Sequence, residues 1–492
     1  MLDPRPNDTG FRVLNRFVHA VWLAAAFIYY LAKVKWNSRL SGERLEAYRE
    51  KKMRRLLQHA VRYSPFYRGL YRGIDVSSCK LEDLPITKKE TLYRNFDDVV
   101  TDKRLRLEQI ERELQGEGDV LGFYLGRYKL YKTSGSTGKP VVFAYDKSAT
   151  LYGIACNIIR STLKWKTMGF YFRMAFRILV RKPYCIATIV TTGRYNATVS
   201  NVSALPNWVL RNVVLPVTMP VAEMVETLNA LQPIVLVGYS AIMEVLAYEQ
   251  LGGKLNIRPK ELKCGGEPLS LKGRQVINKA FGDCLMEVYS TTESLALASE
   301  CFAHKGMHIH EDAVILEVVD DKGKPVPEGT FGSKVLLTNL LNRVEPIIRY
   351  EISDMISTVR DDACPCGLKF RKIPRVEGRT MDIVWMKRKD GSLEPLHPFC
   401  FYDFLEEIQE LKRYQVLQTS ENSIVLYIVP LVPGQGDQLK FSVEKELLAM
   451  LEQKRLDGEI EYTLEVVHDI PRDKTSLKFK PVVALADVVR AP

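Results

Sequence analysis

A chain of 492 residues, 46% of them hydrophobic, with 30 Gly and 24 Pro, excludes a disordered or collagen-like polymer and is too long for one ordinary core, so two or three domains are expected. The formal charge of +11 suits nucleic acid, anionic lipid or an acidic substrate without choosing among them. Nine cysteines, odd in number and mostly scattered, argue for a reducing, cytoplasmic compartment and against a disulfide framework.

Between Arg16 and Lys33 the run FVHAVWLAAAFIYYLA is broken only by His19, and Lys33, Lys35 and Arg39 follow at once. It falls short of the roughly twenty apolar residues of a membrane span and lacks the small-residue cleavage site of a secretory signal. Two readings stay open for residues 1–40. One is an interfacial helix, with Trp22, Tyr29 and Tyr30 at the headgroup level of an anionic membrane surface, which would make the protein peripheral at the inner face of the plasma membrane. The other is a helix packed on the protein's own body. Next, SGERLEAYREKKMRRLLQHAVRY has helical period, with Leu45, Tyr48, Met53, Leu56, Leu57 and Ala60 as its apolar stripe, and Ser64-Pro65 ends it. The basic run Arg49–Arg55 reads as its solvated face, with added membrane contact as the alternative.

The stretch YKLYKTSGSTGKPVVFAYD puts Thr133, Ser134, Gly135, Ser136, Thr137 and Gly138 directly before Lys139. Backbone N–H groups, hydroxyls and an ammonium converging on one loop suit a polyphosphate. A Walker loop is excluded: only two residues separate Gly135 from Gly138, and Pro140 stands where that motif needs a magnesium-binding hydroxyl. Tyr128–Thr133 and Val141–Tyr145 read as strands on either side. A plain surface turn is the alternative for the cluster taken alone. From about Tyr128 to Leu337, strand-like runs (YCIATIV, PIVLVGY) alternate with helix-like ones (AIMEVLAYEQLGG, KGRQVINKAFG), predicting an α/β domain over residues 41–377. After Glu377-Gly378-Arg379 the texture becomes α+β, predicting a small domain over 378–492 with a helix near Phe401–Leu411, strands at RYQVLQT, SIVLYIVP and IEYTLEVV, and a helix Gln438–Gln453.

Four further islands carry polar residues in turns: KCGGEPLS (Lys263–Ser270), EVYSTTESLA (Glu287–Ala296), IIRYEISDMI (Ile347–Ile356) and VEGRTMDIVWM with Arg379 and Asp382. Singly, each reads equally well as a cap or a solvated group. Together and in this order, TSGSTGKP, GGEPLS, YSTTE, RYEISD, GRTMD and a late lysine in PRDKTSLKFKP resemble the adenylate-forming ligases over roughly residues 45–485. The finer resemblance, carried by AYREKKMRRLLQHAVRYSPFYR and ECFAHKGMHIHED, is to phenylacetate–coenzyme A ligases and the related capsule-biosynthesis adenylating proteins.

The resemblance implies a large ATP-binding α/β domain and a small mobile α+β domain that activate a carboxylic acid as acyl-AMP. The acyl group would then pass to coenzyme A, or to an amine or hydroxyl on a glycan or metabolite. In that scheme Ser134, Ser136, Thr137 and Lys139 hold the leaving pyrophosphate, while Thr292 and Glu293 hold the α phosphate and Mg2+, a hard cation that prefers oxygen ligands. Gly266, Glu267 and Pro268 line the adenine and Tyr289 stands beside them. Asp354 binds the ribose hydroxyls, and Arg379 reaches ribose or phosphate. Tyr239 and Ser240 mark the acid pocket, with Thr192-Gly193-Arg194 across from them, and Asp382 is the hinge.

The adenylation lysine is assigned to Lys478. The family's Ser-Gly-Lys reads Ser476-Leu477-Lys478 here, so Lys474 and Lys480 compete. Cys301 and His308 with Cys364 and Cys366 would suit structural Zn2+, with His310 as the alternative fourth ligand and a turn with buried thiols as the alternative to a metal. Transfer of AMP itself to a hydroxyl, or a catalytically silent scaffold, are the competing functions. Nucleic acid is not an expected partner.

Overall fold

The computed structural model describes residues 25–115, 123–133, 141–161, 173, 176, 177, 180, 182–191, 211–471 and 478–485. Residues 25–37 are helical (α1), and α2 (Gly42–Tyr63) follows, burying Leu45, Met53, Leu56, Leu57 and Ala60 as the period predicts. Ser64 ends α2 in an extended conformation, as a residue before proline favours. The two readings of α1 resolve by face. Val34 is fully buried, and Tyr30 packs edge-on against Tyr152 at 6.0 Å, so Tyr30 faces the core and not a headgroup layer. Trp22 lies outside the described residues. No helix among the described residues is long and apolar enough to cross a membrane.

Strands β1 (Tyr128–Lys132) and β2 (Val142–Asp146) form the antiparallel pair that was expected around the Gly/Ser/Thr loop. Thr133 ties the neck of that loop: its backbone N–H donates to the Val141 carbonyl at 2.9 Å, and its hydroxyl accepts from Val141 N at 2.9 Å. Residues 134–140 lie outside the described residues. Helix α3 (Lys147–Ile159) starts directly after β2, its N-terminus capped by Asp146, which accepts from Ala149 N.

Among the described residues the main sheet has eight strands. Running outward from β7 (Leu285–Tyr289), its parallel half is β6 (Glu261–Cys264), β5 (Val235–Gly238), β3 (Cys185–Val190) and β4 (Arg211–Pro216). On the other side of β7 it continues antiparallel through β8 (Ala298–Glu300), β9 (Met307–Ile309) and β14 (Lys372–Ile373). Helices α4 (Val221–Leu231), α5 (Ser240–Leu251) and α6 (Leu271–Phe281) link the parallel strands, the alternation read from the sequence. The chain runs from β3 outward to β4 and returns to β5 on the other side of β3, so the order reverses between β3 and β5. Ligands in open α/β sheets bind at the C-terminal ends of strands beside such a reversal.

An antiparallel three-stranded sheet follows, β10 (Val314–Val319), β11 (Lys334–Asn339) and β12 (Tyr350–Ile352), and then β13 (Asp354–Ile356) pairs with β15 (Val376–Arg379). Beyond Asp382 lie β16 (Val384–Lys387), β17 (Leu393–Leu396), α7 (Pro398–Leu405), β18 (Leu411–Ser420), β19 (Ser423–Pro430), α8 (Gly436–Gln453), β20 (Glu461–Val466) and β21 (Val482–Val483). Residues from Val384 to Val482 form a core of their own. The helix expected at Phe401–Leu411 is instead Pro398–Leu405, because Pro398 is favourable in a first turn and Leu411 already opens β18.

Candidate active site

Three neighbouring parallel strands, β5, β6 and β7, end together, and the segments after β6 and β7 deliver side chains from the quoted islands. After β5, Tyr239 meets Thr191, which follows β3, with the hydroxyls 3.1 Å apart at the point of reversal. After β6 come Gly265 and Gly266. A Cβ on Gly265 would stand 2.3 Å from the Val288 carbonyl oxygen, so β6 and β7 can approach this closely only without one. Gly266 has φ +77°, and a Cβ there would press on the Tyr239 ring at 3.2 Å and on Lys478 Nζ at 3.4 Å. Glu267 then bridges two elements: its carboxylate accepts from Ala241 N at 3.1 Å and from Phe479 N at 2.9 Å. Ser240 donates to the Glu267 carbonyl at 3.1 Å. Pro268 lines the cleft between Ser240 and Phe479.

At the end of β7 the half-buried Tyr289 donates its hydroxyl to Asp354 Oδ2 at 2.7 Å, and Arg379 Nε approaches Asp354 Oδ1 at 3.3 Å. The β13–β15 pairing sets Asp354 opposite Arg379, so residues from two distant islands arrive on one carboxylate. Thr292 and Glu293 follow Tyr289. The Thr292 carbonyl accepts from Tyr145 at 2.8 Å and the Glu293 carbonyl from Asn339 at 2.9 Å, while Glu293 Oε1 accepts from Tyr350 at 3.1 Å. Glu293 is half-buried, and its carboxylate is the oxygen donor type that a hard divalent cation takes.

Lys478 completes the site from the small body. Its ammonium donates to the Gly266 carbonyl at 2.8 Å and lies 5.3 Å from the Tyr239 ring centre. Burial, and then the nearby Arg379 cation, bring its pKa down to about 8. Lys480 instead acts on Asp382, whose carboxyl burial pushes up to about 6 against the pull of Arg379 and Lys480. Of the residues expected at the site, Gly266, Glu267, Pro268, Tyr289, Thr292, Glu293, Asp354, Arg379, Tyr239, Ser240 and Lys478 converge. Ser134, Gly135, Ser136, Thr137, Gly138, Lys139, Lys474 and Thr192-Gly193-Arg194 lie outside the described residues.

Tyr145, Tyr350, Asn339 and Glu345 were missed as site residues. Glu345 is buried beside Glu293, accepts from Ala144 N at 2.8 Å, and is pushed up to about 8 by burial. Tyr350 stands inside RYEISD and could have been singled out there; nothing local marks the other three.

The small body is also bolted to the large one at a second place. Glu406, just after α7, accepts from Leu271 N at the α6 N-terminus at 2.9 Å and from Arg375 Nη2 at 2.8 Å. Lys272 donates to the carbonyls of Ile408 and Gln409 at 2.9 and 3.2 Å. A carboxylate on a helix N-terminus and an ammonium on the carbonyls beyond α7 are each favourable charge placements.

Cys301, His308, Cys364 and Cys366 bring one ligand atom each within 4.8 Å of one another. The Sγ atoms of Cys301 and Cys364 are 3.7 Å apart, and His308 Nε2 is 3.4 Å from Cys364 and 3.3 Å from Cys366. Bonds of about 2.0–2.3 Å in a tetrahedral zinc centre give edges of about this length. His308 Nδ1 donates to the Phe370 carbonyl at 3.0 Å, which holds the ring with Nε2 toward the sulphurs, as the far nitrogen of a metal-binding histidine is commonly held. His310 points elsewhere, to Ser299 at 2.9 Å.

No family model matches the chain. A phenylacetate–coenzyme A ligase of Thermus thermophilus is 28% identical over 364 residues, covering 70% of this chain and 72% of the relative. One from Pseudomonas putida is 25% identical over 360 residues, covering 69% and 72%. Among solved structures, 2-hydroxyisobutyryl-CoA ligase in the postadenylation state covers 91% of both chains at 19% identity, with a TM-score of 0.65, against 0.52 for the same ligase in its thioesterification state. By its sequence the chain is similar to the phenylacetate–coenzyme A ligases, and by its fold to 2-hydroxyisobutyryl-CoA ligase.

Proposed function

We propose that the protein is an ATP-dependent ligase that joins a carboxylic acid to AMP, releases pyrophosphate, and transfers the acyl group to the thiol of coenzyme A with release of AMP. The observation that carries this reading is Lys478, delivered by the small body onto the Gly266 carbonyl beside Tyr239, within the set formed by Asp354, Arg379 and Glu293. The acid's carboxylate oxygen attacks the α phosphorus as the bond to the pyrophosphate oxygen breaks. Charge grows on the phosphoryl oxygens and the leaving group, so fixed donors and cations there lower the barrier. Lys478 and Arg379 supply the cations and Asp354 anchors the ribose, while Lys139 and the hydroxyls around it take the leaving group. Mg2+, when bound at Glu293, supplies charge neutralisation of the phosphates. Tyr239 and Ser240 border the acid pocket, on the side of the strand reversal.

Coenzyme A is preferred as acceptor because the sequence relatives are coenzyme A ligases; a glycan or metabolite acceptor in cell-envelope or secondary metabolism is the alternative. Residues from Gly378 onward form the mobile small domain, with Asp382 as hinge, since an acceptor needs the face that Lys478 covers. The four Cys/His ligands hold a structural zinc, and the working compartment is the cytoplasm, where nine unpaired cysteines stay reduced. The test is pyrophosphate release by the purified protein with ATP, Mg2+ and a panel of carboxylic acids, with and without coenzyme A. One stimulating acid names the substrate class, and coenzyme A-dependent thioester names the acceptor. Silence with every acid would leave a scaffold of the same fold.

A further inference from the structure

Helix α1 is held by one face and bare on the other. On the inner face Asn37 donates to Tyr152 at 2.7 Å and to Asp312 Oδ2 at 3.1 Å, and Arg160 pairs with Asp312 at 2.7 Å. Arg160 also reaches Ser38, just after the helix, at 3.1 Å. Burial works against the Asp312 carboxylate, but the Arg160 guanidinium holds its pKa down at about 2. The outer face carries Ile28, Tyr29 and Trp36, which are 67%, 57% and 69% exposed. Residues 28, 32, 36 and 29 fall within about 100° of arc at 3.6 residues per turn, so the large apolar groups make one stripe.

Cations frame that stripe. Lys33 stands 5.4 Å from the Tyr29 ring and Arg39 5.6 Å from the Trp36 ring, with Lys35 exposed between them. Lys33 also belongs to a second basic group, with Lys52, Arg55 and His59 at helical spacing on α2 and Arg343 from the loop after β11. Burial, then Lys33 and Arg343, bring Lys52 down to about 8. Among the described residues, none of Lys33, Lys35, Arg39, Lys52, Arg55 and Arg343 has a carboxylate at ion-pair distance. By contrast Arg49 and Arg54 of the same α2 do, with Glu46 and Glu50.

We propose that this face docks on an anionic phospholipid membrane, with Ile28, Tyr29 and Trp36 in the headgroup layer and the unpaired cations on lipid phosphates. An apolar stripe with aromatic and basic neighbours is the composition of an interfacial helix. Charge selects the occupant. In a two-fold dimer through this face the same cations would meet their own copies, whereas a phosphate surface complements them. The apolar run from Phe17 leads in sequence directly into the stripe.

The test is co-sedimentation of the full chain with phosphatidylcholine vesicles, with and without phosphatidylglycerol. Binding should need the anionic lipid and weaken with salt, because the screening length shortens. Replacing Lys33, Lys35 and Arg39 by Gln should weaken partitioning about a hundredfold, and Ile28→Ser with Trp36→Ser should abolish it. An unchanged thermal unfolding midpoint shows that the variants are folded. Three results would overturn the proposal: equal binding to neutral vesicles, binding unaffected by either set of substitutions, or a concentration-dependent dimer that Ile28→Ser with Trp36→Ser disperses.

Discussion

Replacing Lys478 by alanine removes an ammonium that stands 2.8 Å from the Gly266 carbonyl and 5.3 Å from the Tyr239 ring centre. Losing one preorganised donor where charge develops costs about 2.7–4 kcal/mol, so acid-dependent pyrophosphate release should fall about a hundred- to a thousandfold. The second half-reaction, fed with chemically made acyl-AMP, should be unchanged. pH supplies an independent readout. The working form is the protonated one, and its pKa has been lowered to about 8 by burial and by Arg379. Because kcat/KM reports the free enzyme, adenylation should be level below that value and lost as pH rises through it. A continuous pyrophosphate assay across the neutral to alkaline range measures this limb, and Lys478→Ala should lack it. Wild-type turnover with the same alkaline limb in Lys478→Ala would refute the reasoning. Loss in Lys480→Ala instead would transfer the role to that lysine.

Glu406→Ala unties the small body from α6 and Arg375, and should slow adenylation about tenfold, as for the loss of charged hydrogen bonds worth about 1.5 kcal/mol, while acyl-AMP consumption is unaffected. Asp382→Pro should slow turnover of the complete reaction more than either half-reaction measured alone, because proline restricts the dihedral through which the small domain would turn. Fresh protein should carry about one zinc per chain by elemental analysis, and Cys364→Ser with Cys366→Ser should lose it with a lowered melting temperature; metal-free fresh protein would reduce the cluster to buried thiols. Arg160→Met leaves Asp312 charged and buried without its partner, and should cost about 3–5 kcal/mol in denaturant unfolding.

The elements that were legible in the sequence are those whose cause is local. The period of α2, the strand–loop–strand around Ser134–Lys139 and the α/β alternation follow from spacing and turn chemistry alone, and β1, β2, β3, β5, α5 and α6 fall where expected. Gly265 and Gly266 were visible as a pair in a turn after a strand, but that Val288 and Tyr239 approach them is disclosed only by the fold. The helix near Phe401 was displaced because its start depends on Pro398 and its end on where β18 begins, neither of which periodicity reports.

What tertiary structure alone decided are contacts between residues far apart in the chain. Glu345 reaches Ala144 across 201 positions and Lys478 reaches Gly266 across 212, and no local pattern can encode such a pairing. The same holds for the choice between His308 and His310: both are plausible ligands by type and spacing, but the turn after β9 directs one to the cysteines and the other to Ser299. Residues 25–37 show both sides at once. Their amphipathic composition was written in the letters, but which face the protein keeps was set by Asp312, a carboxylate 275 residues away from Asn37, whose burial with Arg160 demands a hydrogen-bond donor on that side.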